Sequence, residues 1–420
     1  MADKNAAWMS AHYPEVLAPV GDFERLTYAV NYGADAVYLG GTAFGMRASS
    51  ANFDFETMKK AVEYAHARGV KVYLTCNTLP LNSEVEELPD YLRSAQKAGV
   101  DAVIVADIGV LMEAKRVIPD VDVHISTQTG IVNYLTANEL YKLGAKRVVL
   151  ARELPLEEIK RIRDKTPPEL EIETFVHGAM CMSFSGRCLL SNYMVGRDAN
   201  RGECAQPCRW NYYLMEEKRP GQYFPVFEDE KGSYILNAKD LCMIEYIDKV
   251  IEAGVTSLKI EGRAKSFYYV AVVTNAYRKA VDLYKKDPKN FHLPEWIEEE
   301  TRKVSHRQYS TGFYFGRPEQ GQYYENGGYV RQWDVVAVVD KTEDDVLYCT
   351  QRNKFSLGET VEILCPGGDI DNRPISYSVT AITDAEGNAR QSANNAMMKL
   401  TMPAKGLVLP KGAIIRRAAK

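Results

Sequence analysis

Apolar positions recur every three to four residues in a series of segments, each closed by a glycine and followed by a short run rich in β-branched residues. The unit appears as NYGADAVYLG (31–40), ARGVKVYLT (67–75), KAGVDAVIV (97–105), KLGAKRVVL (142–150) and EAGVTSLKI (252–260). The helical period predicts one buried stripe per segment, such as Phe55, Met58, Val62 and Ala65, or Val85, Leu88, Leu92 and Ala95. The glycines fit the position just past a helix C-terminus, where the backbone turns left-handed. Adding VLAP (16–19), DVHIS (122–126) and LEIETF (170–175) brings the count to eight strands, joined by helical or irregular segments. Strands alternating with helices predict a parallel sheet, and eight units closing on themselves predict an α/β fold, a (β/α)8 TIM-like barrel.

After a helical stretch at 264–285 and a mixed segment, the period becomes two from about residue 328. YVRQWDVVAVVD, VLYCTQ, ETVEILCP, ISYSVTAI, NAMMKLTMP and GAIIRRA read as short strands between Gly, Asp and Asn turns, which predicts a small C-terminal all-β barrel. The boundary is placed in the loop at 317–327, giving a barrel domain over 1–320 and a β domain over 321–420.

Composition narrows the class. At 46% hydrophobic and 26% charged residues the chain reads as globular, and its net charge of −4 gives no overall basic footprint for nucleic acid. Residues 1–21 hold no long apolar run, and no later stretch approaches the roughly 18 apolar residues of a spanning helix. No membrane contact and a cytoplasmic location are therefore expected. In a reducing compartment clustered cysteines read first as metal ligands or reactive thiols.

Four of the eight cysteines, Cys181, Cys188, Cys204 and Cys208, fall in HGAMCMSFSGRCLLSNYMVGRDANRGECAQPCRWNYY (177–213), spaced C-x6-C-x15-C-x3-C. The segment is polar, glycine-rich and without period, so packing gives no reason for its thiols. Zinc and an iron–sulfur cluster both suit them. Structural zinc favours pairs two to four residues apart, which only the last pair approaches, so the spacing leans towards iron–sulfur. Cys76, Cys349 and Cys365 sit inside strand patterns and read as small hydrophobes, and Cys242 reads as a core thiol or a fifth candidate. Around the cluster Arg187, Arg197, Arg201 and Arg209 outnumber Asp198 and Glu203, and would offset cluster charge or hold phosphates. Tyr193, Trp210, Tyr212 and Tyr213 are candidates for stacking on a base, with ordinary packing as the competing role. His177 precedes Cys181 by four residues, which allows a Cys–His peptidase, but H-E-x-x-H and G-x-S-x-G are both absent.

Chemistry in such barrels sits at the C-terminal ends of the strands. Those ends would present Asn77, Asp107, Ser126–Gln128, Glu153, His177 and Glu261-Gly262-Arg263. His177, His124, Glu153, Glu261 and Arg263 are the candidates for acid–base or anion-binding roles, with a buried ion pair as the competing role for Glu261 and Arg263.

PEVLAPVGDFERLTYAVNYGADAVYLGG, RASSANF, HGAMCMSFSGRCLLSNY, NRGECAQPCRW and SLKIEGRAKSFYYVA resemble the collagenase-like peptidase family U32, and most of all its tRNA-hydroxylating branch, over residues 14–316. The β-rich tail is similar to the small translation-factor-like barrel that ends many members. The resemblance implies an oxygen-independent hydroxylase with a [4Fe-4S] cluster, forming 5-hydroxyuridine at the tRNA wobble position with prephenate as hydroxyl source. It implies Cys181, Cys188, Cys204 and Cys208 as ligands, with Cys242 as substitute for Cys208. As partners it implies tRNA through its anticodon loop, a small-molecule hydroxyl donor and a candidate partner subunit of the same family. A U32 collagenase-like peptidase and a zinc-stabilised RNA-binding scaffold without catalysis are the alternatives.

Overall fold

The computed structural model describes residues 13–46, 52–181, 183–186, 188–210, 228–229, 232–233, 238–316, 329–367 and 370–419. Strands β1 (Glu15–Pro19), β2 (Ala36–Gly40), β3 (Lys71–Cys76), β4 (Ala102–Val105), β5 (Asp122–Ile125), β6 (Arg147–Val149), β7 (Glu171–Gly178) and β9 (Ser257–Ile260) lie parallel, each beside its predecessor. Strand β9 pairs with both β7 and β1, which closes the barrel. The short strand β8 (Asp240–Cys242) runs antiparallel on the end of β7, and β10 (Tyr309–Ser310) lies beside it.

Several helices begin where a polar side chain satisfies an orphaned backbone donor. Asp22 accepts from Arg25 N, Asp54 from Thr57 N and Asp107 from Val110 N, starting the helices Phe23–Asn31, Phe55–His66 and Ile108–Val117. The glycine-closed pattern holds as read: Gly33 and Gly99 sit at φ 102° and 87°, where other residues would be strained. Met58, Val62, Ala65, Leu88, Leu92 and Ala95 are buried against the sheet. The stripes are each one residue shorter than the period suggests. Phe55 is exposed in the first turn of its helix, and Val85 is exposed in a separate one-turn helix, Asn82–Val85.

The tail forms a seven-stranded antiparallel sheet, from Trp333–Glu343 to Ile414–Ala418, around its own core of Val336, Val339, Leu347, Phe355, Ile363 and Ile415. It is bound to the outer helices of the barrel. The fully buried Arg416 pairs with Glu300 at 2.6 Å and Glu362 at 2.9 Å, and Tyr32 donates to the carbonyls of Leu364 and Gly412, both at 3.0 Å. The helix Phe267–Lys286 therefore has neighbours on most sides, which is why its buried residues break the one-stripe pattern. The boundary expected at 317–327 falls outside the described residues, as does most of RASSANF. Among the described residues no helix is long and apolar enough to cross a membrane.

Candidate active site at the barrel mouth

Every second residue of a barrel strand points inward. At the floor these side chains are charged. Arg147 of β6 pairs with Glu15 of β1, with Glu171 of β7 at 2.7 Å and with Glu173 of β7 at 3.1 Å. Glu173 also accepts from Lys259 of β9 at 2.6 Å, and Tyr73 donates to Glu15 at 2.9 Å. Burial alone would raise the Glu15 carboxyl, but Arg147 outweighs it and holds the group below its ordinary range. Above this layer Leu17, Ala36, Tyr38, Tyr73, Ala102 and Ile104 fill the barrel.

At the other end the barrel opens into a cavity of about 260 Å³, roofed by the cysteine segment. The chain leaves β7 through Gly178 at φ 109°, where a Cβ would lie 2.4 Å from the Glu261 carbonyl oxygen. Only glycine allows that approach. Three ties then hold the roof down. Arg152 donates to Ala179 O at 2.9 Å, and Glu153 accepts from the Ser185 amide at 2.7 Å and its hydroxyl at 2.8 Å. Arg201 pairs with Glu84, 3.0 Å for Nη1 to Oε2, and donates to Leu79 O at 3.3 Å. The Arg201 hydrogen bond holds the Glu84 carboxyl below its usual range.

Cys181, Cys188, Cys204 and Cys208 all line this cavity. Cys181, Cys188 and Cys204 are free thiols. The Leu190 amide donates to Cys188 Sγ at 3.4 Å, and the Gln206 amide to Cys204 Sγ at 3.3 Å. Amide donors aimed at sulfur stabilise thiolate and tune cluster potential. The donor set, four cysteines on one cavity with amides on two sulfurs, fits a cluster.

Of the acid–base candidates, Glu261 and Arg263 line the cavity. Tyr38 donates to Glu261 Oε2 at 3.4 Å, while Arg263 is buried and donates to Met46 O at 3.0 Å, Thr75 Oγ1 at 3.2 Å and Asn52 Oδ1 at 2.8 Å. Glu153 works beside the cavity as the anchor of Ser185. The histidines lie elsewhere. Strand β7 runs past the expected end at Phe175, and its register against β9 slips so that Ile260 faces His177 rather than Val176. One extra residue reverses every later side chain, so the His177 ring leaves the mouth and packs among Tyr269, Tyr277 and Tyr309. Burial pushes it down to about 3. His124 lies inside the barrel, edge-on to Tyr73 at 4.7 Å, and burial with Arg147 nearby keeps its ring neutral.

Cys242 faces Thr301 at 4.0 Å and does not line the cavity, and burial pushes its thiol up to about 11, which leaves the substitute-ligand expectation without geometric support. Cys76 and Cys349 are buried strand thiols, both pushed up to about 12. Arg201 is engaged by Glu84 instead of facing the cysteines, while Arg197 is exposed. Trp210 is 38% exposed. Arg187, Tyr212 and Tyr213, and the side chains of Tyr193 and Arg209, lie outside the described residues.

Three cavity cations were not anticipated: Arg152, Lys259 and Arg307. Lys259 had a signal, since a charged residue in SLKI faces inward by the two-residue period. Arg152 adjoins the strand-end candidate Glu153. Arg307 arrives from beyond the last barrel helix, fixed by Asp240 at 2.7 Å, and no local pattern marks it. Burial alone would raise the Asp240 carboxyl, but Arg307 holds it low.

The model of peptidase family U32 matches residues 21–323, and that of the U32 C-terminal domain matches 331–416. The chain is 40% identical to tRNA hydroxylation protein P1 of Bacillus subtilis over 388 residues, covering 91% of this chain and 90% of that protein. It is 36% identical to tRNA hydroxylation protein P of Escherichia coli, covering 90% of each. A collagenase of Porphyromonas gingivalis is 37% identical, over 72% of this chain and 74% of that one. Two family models in series and relatives alike along nine-tenths of their length lead to one conclusion: this chain belongs to peptidase family U32.

Proposed function

We propose that this chain is a tRNA hydroxylase that forms 5-hydroxyuridine at the wobble position without oxygen, in the cytoplasm, with prephenate as hydroxyl donor. The observation that carries the reading is that Cys181, Cys188, Cys204 and Cys208 all line one cavity at the barrel mouth, in a chain so similar to proteins named for tRNA hydroxylation. These cysteines would hold a [4Fe-4S] cluster, which supplies the one-electron chemistry that side chains lack. The chain's own residues bind and orient. A uridine in a single-stranded anticodon loop leaves its stack at small cost and enters from the open side of the mouth. Arg263, fixed by three acceptors, presents a rigid positive charge to whatever lies beside Glu261.

A thiol peptidase needs a base beside its nucleophile. Here the His177 ring is enclosed by tyrosines and lies within 3.4 Å of the Tyr277 hydroxyl and 3.3 Å of the Tyr309 hydroxyl, which does not favour a Cys181–His177 pair.

Anaerobically purified protein should carry about four irons per chain. In a deletion strain the Cys181→Ser chain should restore no wobble hydroxyuridine, measured by mass spectrometry of tRNA nucleosides, while circular dichroism stays unchanged. Normal hydroxyuridine from that variant defeats the reading. Gelatin cleavage by metal-free protein, blocked by alkylation, would move the assignment to the peptidase.

A further inference from the structure

The charges around the cavity are lopsided. Arg152, Lys259, Arg263 and Arg307 line it against one carboxylate, Glu261. Two of the four are answered by buried acids, Lys259 by Glu173 and Arg307 by Asp240. Arg152 is placed differently. Its guanidinium lies over the Phe175 ring, 3.7 Å from the centroid, and its one hydrogen bond among the described residues is to a neutral acceptor, Ala179 O. Its Nε is buried without a hydrogen-bond partner among the described residues. A guanidinium has five N–H donors and is charged at every physiological pH, so one carbonyl and a ring face leave most of its hydrogen-bonding capacity unmet. Lys259 reaches the same ring, 5.4 Å from its centroid. Beside these cations Tyr38, Ile104 and Phe175 give the cavity an apolar stretch of wall, with Thr75, Asn77, Ser126 and Gln128 as its polar part. A planar cation over an aromatic ring beside that stretch suits a carboxylate attached to an apolar body.

We propose that Arg152 is the anchor for a carboxylate of a small organic acid bound in the mouth cavity, whose apolar part lies against Phe175, Tyr38 and Ile104. The assignment rests on the reading of this cavity as the reaction chamber, and it gives the hydroxyl donor a seat on the barrel wall, opposite the cysteine roof. Arg152 then links Ala179 on the roof to the ligand, so a bound acid stiffens the start of the cysteine segment.

Calorimetric titration of the full, anaerobically purified chain tests this with three probes: prephenate with two carboxylates, phenylpyruvate with one, and inorganic phosphate. Wild-type protein should bind the carboxylates. Arg152→Met should weaken them at least tenfold, and Arg152→Lys should recover part of the loss, with iron content and visible absorption unchanged in both. The proposal is overturned if neither carboxylate binds wild type, if phosphate binds in their place, if Arg152→Met binds within twofold of wild type, or if that variant loses its iron, which would make Arg152 a prop for the roof. Carboxylate binding that depends on Arg152 in a protein that forms no hydroxyuridine defeats the hydroxylase reading alone. Hydroxylation by Arg152→Met with an unchanged KM for prephenate defeats this one alone.

Discussion

The two ends of one barrel differ in how completely their buried charges are met inside the protein. At the floor Arg147 and Lys259 meet Glu15, Glu171 and Glu173, and each charge is met by a neighbour inside the protein. At the mouth Arg152 ends on a ring and a carbonyl, and four cysteines face the same space. The floor is built from strand residues fixed by the sheet, so its partners come from the fold itself. The mouth is built from loops beyond the strand ends, where charge can be left for a ligand. The contrast separates charges that hold the fold from charges that serve chemistry.

The sharpest way to break the contrast is to remove one arginine at each end. Arg147→Met leaves three carboxylates close together without their shared cation, and unfolding by denaturant should show a loss of about 3–5 kcal/mol. Arg152→Met at the mouth should cost only about 1–2 kcal/mol, since one bond to a carbonyl and one contact with the Phe175 ring are lost. Equal losses would mean that the mouth is as structural as the floor.

Acid sharpens the same comparison at the rim. The His177 ring, with a folded value of about 3, stays neutral while the unfolded chain takes up a proton below its ordinary value of 6.5. The unfolded state then binds more protons, so the share of stability tied to His177 falls as pH drops from about 6.5, by about 1.4 kcal/mol per unit and about 2 kcal/mol by pH 5, with His124, lowered by the same burial, adding its own loss. Asp240 and Glu15, held low in the fold, add their own losses only below about pH 4.5. His177→Phe should flatten the upper part of the curve. The Tyr277 and Tyr309 hydroxyls keep their bonds to Val176 O and Thr301 O in that variant. An unchanged slope would place the titrating group elsewhere, with buried His124 next to test.

The smallest expected effect concerns the roof alone. Glu153→Gln weakens the clamp on Ser185, yet the segment it holds lies outside the barrel core, so global stability should change by less than about 1 kcal/mol. Local opening should show instead as faster tryptic cleavage after the exposed Arg197. Unchanged cleavage would show that Arg152 and Arg201 suffice to hold the roof.

Much of this was readable from residue order. The helical and two-residue periods, with Gly33 and Gly99 at the turns, specify the barrel units, because burying a stripe on a sheet requires that spacing. Cys181 to Cys208 announced themselves by having no packing role, and they do face one cavity. The periods could not show which way His177 points, because a single-residue slip between β7 and β9 reverses it. Nor could they show that Arg201 answers Glu84 or that Arg307 reaches the mouth, since both pairings join residues far apart in the chain.

The sequence alone determined the repeating unit, the change of period at the tail and the concentration of thiols, because these depend on local spacing and on residue type. The tertiary structure alone decided which charges neutralise one another and which face the cavity. Neutralisation depends on distances of a few ångströms between strands and loops that chain order does not encode.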